Sequence, residues 1–457
     1  MKQVQQKLFS KNKLYRMEIT GLTHEGQGVG KLDGLAVFVD AALPGETVTV
    51  KISKQAKSYA AGTLVNVEKA SESRATPFCP VYDRCGGCAV QHMSYEAQLE
   101  FKRDTVVQSL RRIGGLDNIP VHDTIGMEKP FKYRNKVQYP VGGAGNEVKI
   151  GFYENRSHNI IDSSECAIQP DESNAIRALI RNFCLENGIS IYDEKTGEGL
   201  LRHVMIRKGF KTDELMVVLV INGRKFPKSD ELVKALCGEY KNIKSIILNI
   251  NTRNTNIILG DRNICIFGRE YISDYIGKYR FDISPLSFFQ INPVQTEILY
   301  GKALEYAALT GNETVFDLYC GIGTISLFLS EKAKRVIGVE VVPDAIEDAR
   351  RNAVLNNVSN AEFIVGEAEV VIPDLYAQGV KADVVVVDPP RKGCDEALLN
   401  TLVEMSPERI VYVSCNPSTL ARDLKYLSTH GFEAKEVQPV DMFPWTGHVE
   451  SIVLLQR

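Results

Sequence analysis

No apolar run in this 457-residue sequence approaches the ~20 residues that a membrane-crossing helix needs. The longest, such as ADVVVVDPP at 382–390, are the length of a strand. The N-terminal MKQVQQKLFSKNK is polar and basic and lacks the apolar centre of a secretory signal, so the expected compartment is the cytoplasm. Net positive charge is also missing: 54 Lys and Arg stand against 57 Asp and Glu. That excludes a chain that is basic overall, but not one that binds nucleic acid through local patches. Residues 1–60 hold such a local excess, with nine Lys and Arg against five Asp and Glu. Two further clusters, Lys102/Arg103/Arg111/Arg112 and Lys132/Arg134/Lys136, read as solvated faces. Internal repeats and low-complexity tracts are absent, and tryptophan occurs once. Cysteine is the exception, with ten residues, yet in a cytosolic chain of this length they are not a disulfide framework.

What is present falls into three textures. Between residues 14 and 68, short alternating runs (YRMEITGLT, GLAVFVD, ETVTVKISK, YAAGTLVNVE) are separated by glycine-rich turns. Even spacing of this kind predicts a small β-barrel of the oligonucleotide-binding type. A Pro-, Gly- and Cys-rich loop follows at 71–90, then a helix with Leu99, Val106, Leu110 and Ile113 on one stripe and Gly114 as its stop. From about 130 to 285 strand-like runs dominate, as in an α+β unit. From about 313, strands TVFDLY, RVIGVE, AEFIVG, ADVVVVD and RIVYVS alternate with helix-sized connections. That is the pattern of a Rossmann-like, doubly wound, largely parallel sheet. The last two strands are joined by a short loop and are expected to form an antiparallel hairpin. The expected division is 1–70, 71–285 and 286–457.

The last texture carries the chemistry. In FDLYCGIGT, Asp317 ends a strand, and Gly321 and Gly323 make a tight turn that lets backbone approach a nucleotide-like ligand. The third glycine of a dinucleotide fingerprint is replaced by Ser326, which weakens a pyrophosphate reading. Glu340 ends the next strand, where a carboxylate can take ribose hydroxyls. An acidic residue before the glycines suits a cationic, phosphate-free cofactor, and S-adenosylmethionine fits. Asp388 ends a further strand before Pro389 and Pro390. An acidic-Pro-Pro turn serves exocyclic-amine methyltransferases when an aromatic residue follows; Arg391 stands there instead. Cys415 sits at the tip of RIVYVS, ahead of Asn416 and Pro417. A thiolate there can add to carbon 6 of a pyrimidine and so make carbon 5 nucleophilic. A base must then remove the carbon-5 proton, and Glu450, two residues after His448, can do so. A pyrimidine drawn from its stack needs a platform and an amide, for which Phe288 or Phe289 and Gln290 are candidates, one phenylalanine being core.

Cys79, Cys85 and Cys88, with Cys166 far along the chain, can complete a tetrahedral shell around zinc or an iron–sulfur cluster. Spacing does not decide between them. Cys184, Cys237 and Cys265 lie in apolar surroundings and read as core.

FDLYCGIGT, VVVVDPPRKG, VSCNPSTLARDL and MFPWTGHVESIVLL closely resemble the motifs of the bacterial RumA/RlmD-type 23S rRNA (uracil-5-)-methyltransferases. These are class I S-adenosylmethionine-binding enzymes, and the resemblance covers nearly the whole chain. It implies an N-terminal TRAM barrel that binds RNA, a central domain carrying a [4Fe–4S] cluster on Cys79, Cys85, Cys88 and Cys166, and a C-terminal methyltransferase domain. It implies Cys415 as nucleophile and Glu450 as base, with Gln290, Tyr319, Glu340, Asp388 and Glu367 lining the methyl-donor and uracil pocket and Phe288 stacking near the target base. The implied substrate is 23S rRNA, with tRNA as the alternative because some relatives with barrel and cluster act on tRNA. A monomer without an obligate protein partner is the default. Two rivals remain: a methyltransferase acting on an amine or a protein, which would not need Cys415, and a non-catalytic iron–sulfur RNA-binding sensor.

Overall fold

The computed structural model describes residues 9–10, 13–143, 147–163 and 165–457. Strands β1 (Leu14–Leu22), β2 (Gly28–Leu32), β3 (Leu35–Val39), β4 (Thr47–Gln55) and β5 (Tyr59–Lys69) close into a barrel in the order β1-β2-β3-β5-β4. Alternation does this: Met17, Ile19, Val37, Val39, Val48, Val50 and Ile52 point inward and form one core. Gly30 is required where strands approach, since a Cβ there would meet the Glu18 carbonyl oxygen at 2.2 Å. The expected small barrel is present.

Helix α1 (Tyr95–Ser109) is capped by Ser94, whose hydroxyl accepts from the Ala97 amide. Val106 and Leu110 of the expected stripe are buried, but Ile113 is exposed. The helix widens into a π turn over Leu110–Gly114, which rotates the following side chains off the stripe, and Gly115, not Gly114, takes the left-handed turn. Lys102 overturns the expectation of a solvated basic face: it is wholly buried in an ion pair with Asp441.

The central sheet runs β13-β12-β11-β10-β6-β7. It comprises β6 (Lys136–Gly142), β7 (Lys149–Ile150), β10 (Leu201–Lys208), β11 (Leu215–Ile221), β12 (Ile243–Ile250) and β13 (Arg262–Gly268). Helices α2 (Asp171–Glu186) and α3 (Ser229–Glu239) cover it, and β8 (Phe152–Tyr153) pairs with β9 (Ile160–Ile161) beside it. Cys184 is buried here as expected, whereas Cys237 and Cys265 are only half-buried. A hairpin, β14 (Ile272–Ile276) and β15 (Tyr279–Ile283), follows, and its Ile272, Ile276, Phe281 and Ile283 join the core of the C-terminal sheet.

That sheet has the order β18-β17-β16-β19-β20-β22-β21. Its strands are β16 (Thr314–Leu318), β17 (Arg335–Glu340), β18 (Ala361–Val365), β19 (Val384–Val387), β20 (Arg409–Ser414), β21 (Glu433–Val440) and β22 (Glu450–Gln456). The first five are parallel, and β22 lies antiparallel between β20 and β21. The connecting helices are α5 (Thr324–Ser330), α6 (Pro343–Leu355), α7 (Ala368–Ala377), α8 (Glu396–Met405) and α9 (Pro417–Thr429), preceded by α4 (Pro293–Ala307). Strand order reverses at β16, which opens a crevice at the carboxyl ends of β16 and β19. Among the described residues no helix is long and apolar enough to cross a membrane.

Candidate active site

The sheet register gathers the strand-end residues. Ser414 of β20 pairs with Ser451 of β22, so the next position along brings Cys415 opposite Glu450. Leu318 pairs with Val387, which puts Tyr319 beside Asp388. Cys415 is fixed by its turn: the Asn416 amide donates to Ser414 Oγ at 3.1 Å, and Asn416 Oδ1 accepts from the Ser418 amide at 3.0 Å, capping α9. Asn416 Nδ2 and Thr419 Oγ1 both donate to the Arg391 carbonyl, at 3.1 and 3.2 Å, tying the Asp-Pro-Pro-Arg loop to the cysteine turn.

The pocket is acidic. Burial pushes Asp388 up to about 7. Asp317, wholly buried, is also pushed up to about 7, with Asp388 and Glu340 adding to burial and the Ser326 hydroxyl opposing it. Ser326, standing where a third glycine was absent, thus donates to Asp317 Oδ2 while Oδ1 has no partner. Glu450, 4% exposed, is raised well above the usual carboxylate range by burial and then by Asp388. Burial, Glu450 and Asp388 together push the Cys415 thiol up to about 11. Arg391 is the cation that opposes these shifts at both Cys415 and Glu450. Tyr300 of α4 is raised by burial and by Asp388, Asp317 and Glu450, and its hydroxyl pairs with Thr324 Oγ1 at 3.0 Å.

The glycine turn is open. A Cβ at Gly321 would meet nothing within 4 Å, whereas one at Gly323 would meet the Phe363 ring at 3.1 Å. Glu340 is anchored by the Gly321 and Val342 amides, at 3.2 and 3.0 Å, next to exposed Val341 and Val342. Tyr319 has a left-handed backbone (φ 67°), and its hydroxyl donates to Glu369 at 2.9 Å. An open backbone turn, an anchored carboxylate and an uncompensated acidic floor fit a cationic nucleoside cofactor. Glu367 is exposed at the start of α7, its side chain making no cap bond.

Phe289 is the core phenylalanine, at 1% exposure, and Phe288 stands 65% exposed. Gln290 is buried, and its carbonyl accepts from Asn135 Nδ2 at 2.8 Å. Arg391, Tyr300 and Asn416 were not picked out as site residues from the sequence. For Arg391 and Asn416 the signal was adjacency to Asp388 and Cys415; Tyr300 carried none.

Away from this crevice, Cys79, Cys85, Cys88 and Cys166 line a single cavity with Phe78, Val81, Tyr82, Phe152 and Ile168. Burial pushes Cys88 up to about 12 and Cys166 to about 11, with Cys79 and Cys85 adding to each. Among the described residues no three His, Cys, Asp or Glu side chains converge as the shell of one metal ion, so the expected metal centre is not assembled. The four cysteines nonetheless line one largely apolar cavity, the kind of setting in which thiolate-bound groups are held.

A model of the tRNA (uracil-5-)-methyltransferases matches residues 240–457, and a TRAM-domain model matches residues 10–65. An uncharacterized RNA methyltransferase of Clostridium acetobutylicum is 53% identical over 98% of both chains. One from Halalkalibacterium halodurans is 52% identical over 99% of both. Among solved structures, the Pyrococcus abyssi tRNA (uracil-54, C5)-methyltransferase in complex with S-adenosyl-L-homocysteine is 32% identical. It superposes with a TM-score of 0.78 over 96% of this chain and 100% of its own.

Proposed function

From its membership of the RNA (uracil-5-)-methyltransferase family, to which this chain belongs, we propose that it methylates carbon 5 of specific uridines in 23S rRNA. It is an S-adenosylmethionine-dependent RNA methyltransferase with an N-terminal TRAM barrel. The observation that carries the proposed chemistry is the register of β20 and β22, which sets a thiol opposite a buried carboxyl at the carboxyl end of β20.

When bound, S-adenosylmethionine supplies an electrophilic methyl group. Asp317, Tyr319, Gly321, Gly323, Glu340 and Asp388 would hold it, with Glu367 at the rim. Cys415 as thiolate adds to carbon 6 of the uracil, leaving an electron pair at carbon 5 for alkylation. Glu450 as carboxylate then takes the carbon-5 proton, the 5,6 double bond re-forms, and the Cys415 thiolate is expelled. Arg391 favours both ionised forms, since it lowers the Cys415 and Glu450 proton affinities. Phe288 would stack beside the withdrawn base, with Gln290 and Asp388 against the uracil. Cys79, Cys85, Cys88 and Cys166 would hold a [4Fe–4S] cluster; their shared cavity supports this.

A tRNA substrate is the second reading, favoured by the likeness to a tRNA (uracil-54, C5)-methyltransferase over nearly the whole chain. The experiment is incubation with S-adenosylmethionine and 5-fluorouridine-substituted rRNA or tRNA. Fluorine at carbon 5 cannot be abstracted, so a covalent protein–RNA adduct should accumulate and vanish in Cys415→Ala. No adduct with either RNA would sink the mechanism. Mapping 5-methyluridine in cells with and without the protein assigns the polymer and the position.

A further inference from the structure

Of the cluster Lys132/Arg134/Lys136, only Lys132 lies on the solvated face that the sequence suggests. Lys132 pairs with Asp171. Arg134, two residues before β6, and Lys136, its first residue, are half-buried, and Arg207 of β10 lies directly opposite Lys136 in the antiparallel register. Arg207 is 3% exposed; its Nη2 donates to the Ser287 carbonyl at 2.5 Å, and its Nε has no partner. Among the described residues, the Lys136 ammonium makes no ion pair or hydrogen bond. Burial, then Arg207, then Arg134, presses its ammonium down to about 7, and no carboxylate opposes them. Burial alone lowers Arg207, to about 10. Lys136 and Arg207 are thus packed together, with Arg134 near by and no carboxylate opposing the Lys136 ammonium, an arrangement that costs stability unless something negative enters.

Their position says what enters. Asn135, between Arg134 and Lys136, donates from Nδ2 to the Gln290 carbonyl at 2.8 Å and from its amide to the Ile291 carbonyl at 2.9 Å. With the Arg207–Ser287 bond, these contacts pin both ends of the segment that carries the exposed Phe288. We propose that Lys136 and Arg207, with Arg134, form a binding site for a backbone phosphodiester of the RNA, next to the nucleotide whose base stacks on Phe288. The proposal rests on the reading of the chain as an RNA methyltransferase and adds the residues that grip the strand there. A base drawn from its stack needs its flanking phosphate held, or the strand springs back. Guanidinium groups suit that anion because they stay charged and offer several donors in a fixed fork.

The test pairs stability with salt dependence in Lys136→Met and Lys136→Arg. Without RNA, Lys136→Met removes an uncompensated charge, so its thermal midpoint should rise above that of the native protein. With a short RNA that the native protein methylates, its affinity should fall. The slope of log K against log salt should shrink by about 0.7 to 0.9, the loss of one neutralised phosphate. Lys136→Arg should keep the native slope. An unchanged slope in Lys136→Met, or a lowered midpoint with native affinity, overturns the site while leaving the methyltransferase reading intact. Absence of methylation of any RNA by the native protein would instead overturn the reading on which the site rests.

Discussion

Asp317 concentrates the electrostatic strain of the pocket in one side chain: it is wholly buried, one oxygen is unpartnered, and its proton affinity is raised to about 7. The sign of the resulting pH dependence follows directly. Between the ordinary aspartate value and about 7, the folded protein binds more protons at Asp317 than the unfolded chain does, so stability falls as pH rises through that window. Asp317→Asn keeps an acceptor for Ser326 and removes the charge. Without cofactor, its thermal midpoint should exceed that of the native protein at pH 8, and the difference should vanish towards pH 4. A difference that grows towards pH 4 would contradict the assignment. The same residue predicts a binding signature. A sulfonium bound near Asp317, Asp388 and Glu450 favours their ionised forms, so binding S-adenosylmethionine at pH 7 should release protons. S-adenosylhomocysteine, which lacks the sulfonium charge, should release fewer. Calorimetry in two buffers of different ionisation enthalpy reads the number directly.

At the scale of elements, the crevice depends on how β20 ends and α9 begins. Asn416 makes one cap bond to Ser418 and, with Thr419, a cross-link to the Arg391 carbonyl, so its side chain helps set the angle at which Cys415 leaves its strand. Asn416→Ala should cost about 1 kcal/mol of stability, the usual worth of a cap. It should lower kcat for methylation more than it raises KM, because RNA contacts are untouched while the thiol is freed to wander. Unfolding and steady-state kinetics check the two parts separately. The positions of Glu340, Asp388 and Cys415 were legible in the sequence because each directly follows or ends an apolar run of strand length, whereas Asp317, expected to end its strand, lies one residue inside β16, which Leu318 ends. In a parallel sheet all such ends point to one crevice. Glu450 was legible for the mirror reason: it begins an antiparallel strand, so its leading end lies at that same edge. The π turn that exposes Ile113 was not legible, because Leu110–Gly114 continues the helical spacing without a breaker. Nor was the burial of Lys136, since its neighbour Arg207 is placed by strand pairing and carries no local signal.

Over the whole molecule, the loop Asp441–Val449 that delivers Glu450 is held by parts of the chain more than 300 residues earlier. The Trp445 carbonyl accepts from the Ala89 and Val90 amides, just beyond Cys88, and its indole donates to the Pro130 carbonyl at 2.6 Å. Its ring packs against Phe78, Phe131 and Tyr95, so the cysteine cavity and the loop leading to Glu450 share a wall. Under that wall Lys102 pairs with Asp441 and donates to the Phe443 carbonyl at 3.1 Å, while Tyr95 donates to Asp441 Oδ2 at 2.8 Å. Spacing alone hides this arrangement, because a lysine on a charged helix looks solvated until its distant carboxylate is known. A buried pair adds little net stability over apolar substitutes, but losing one partner strands the other charge without water. Lys102→Met should therefore cost about 3–5 kcal/mol, the range for breaking a buried ion pair. Lys102→Met combined with Asp441→Asn should recover part of that loss, since asparagine carries no charge to strand and can still accept from Tyr95. Denaturant unfolding of the two variants separates an electrostatic role from a packing one: if the double variant is no more stable than the single, the ion pair is not what holds the loop. In the single variant the loop gains freedom where it feeds β22, so 5-fluorouridine adduct formation should slow even under conditions where the protein remains folded.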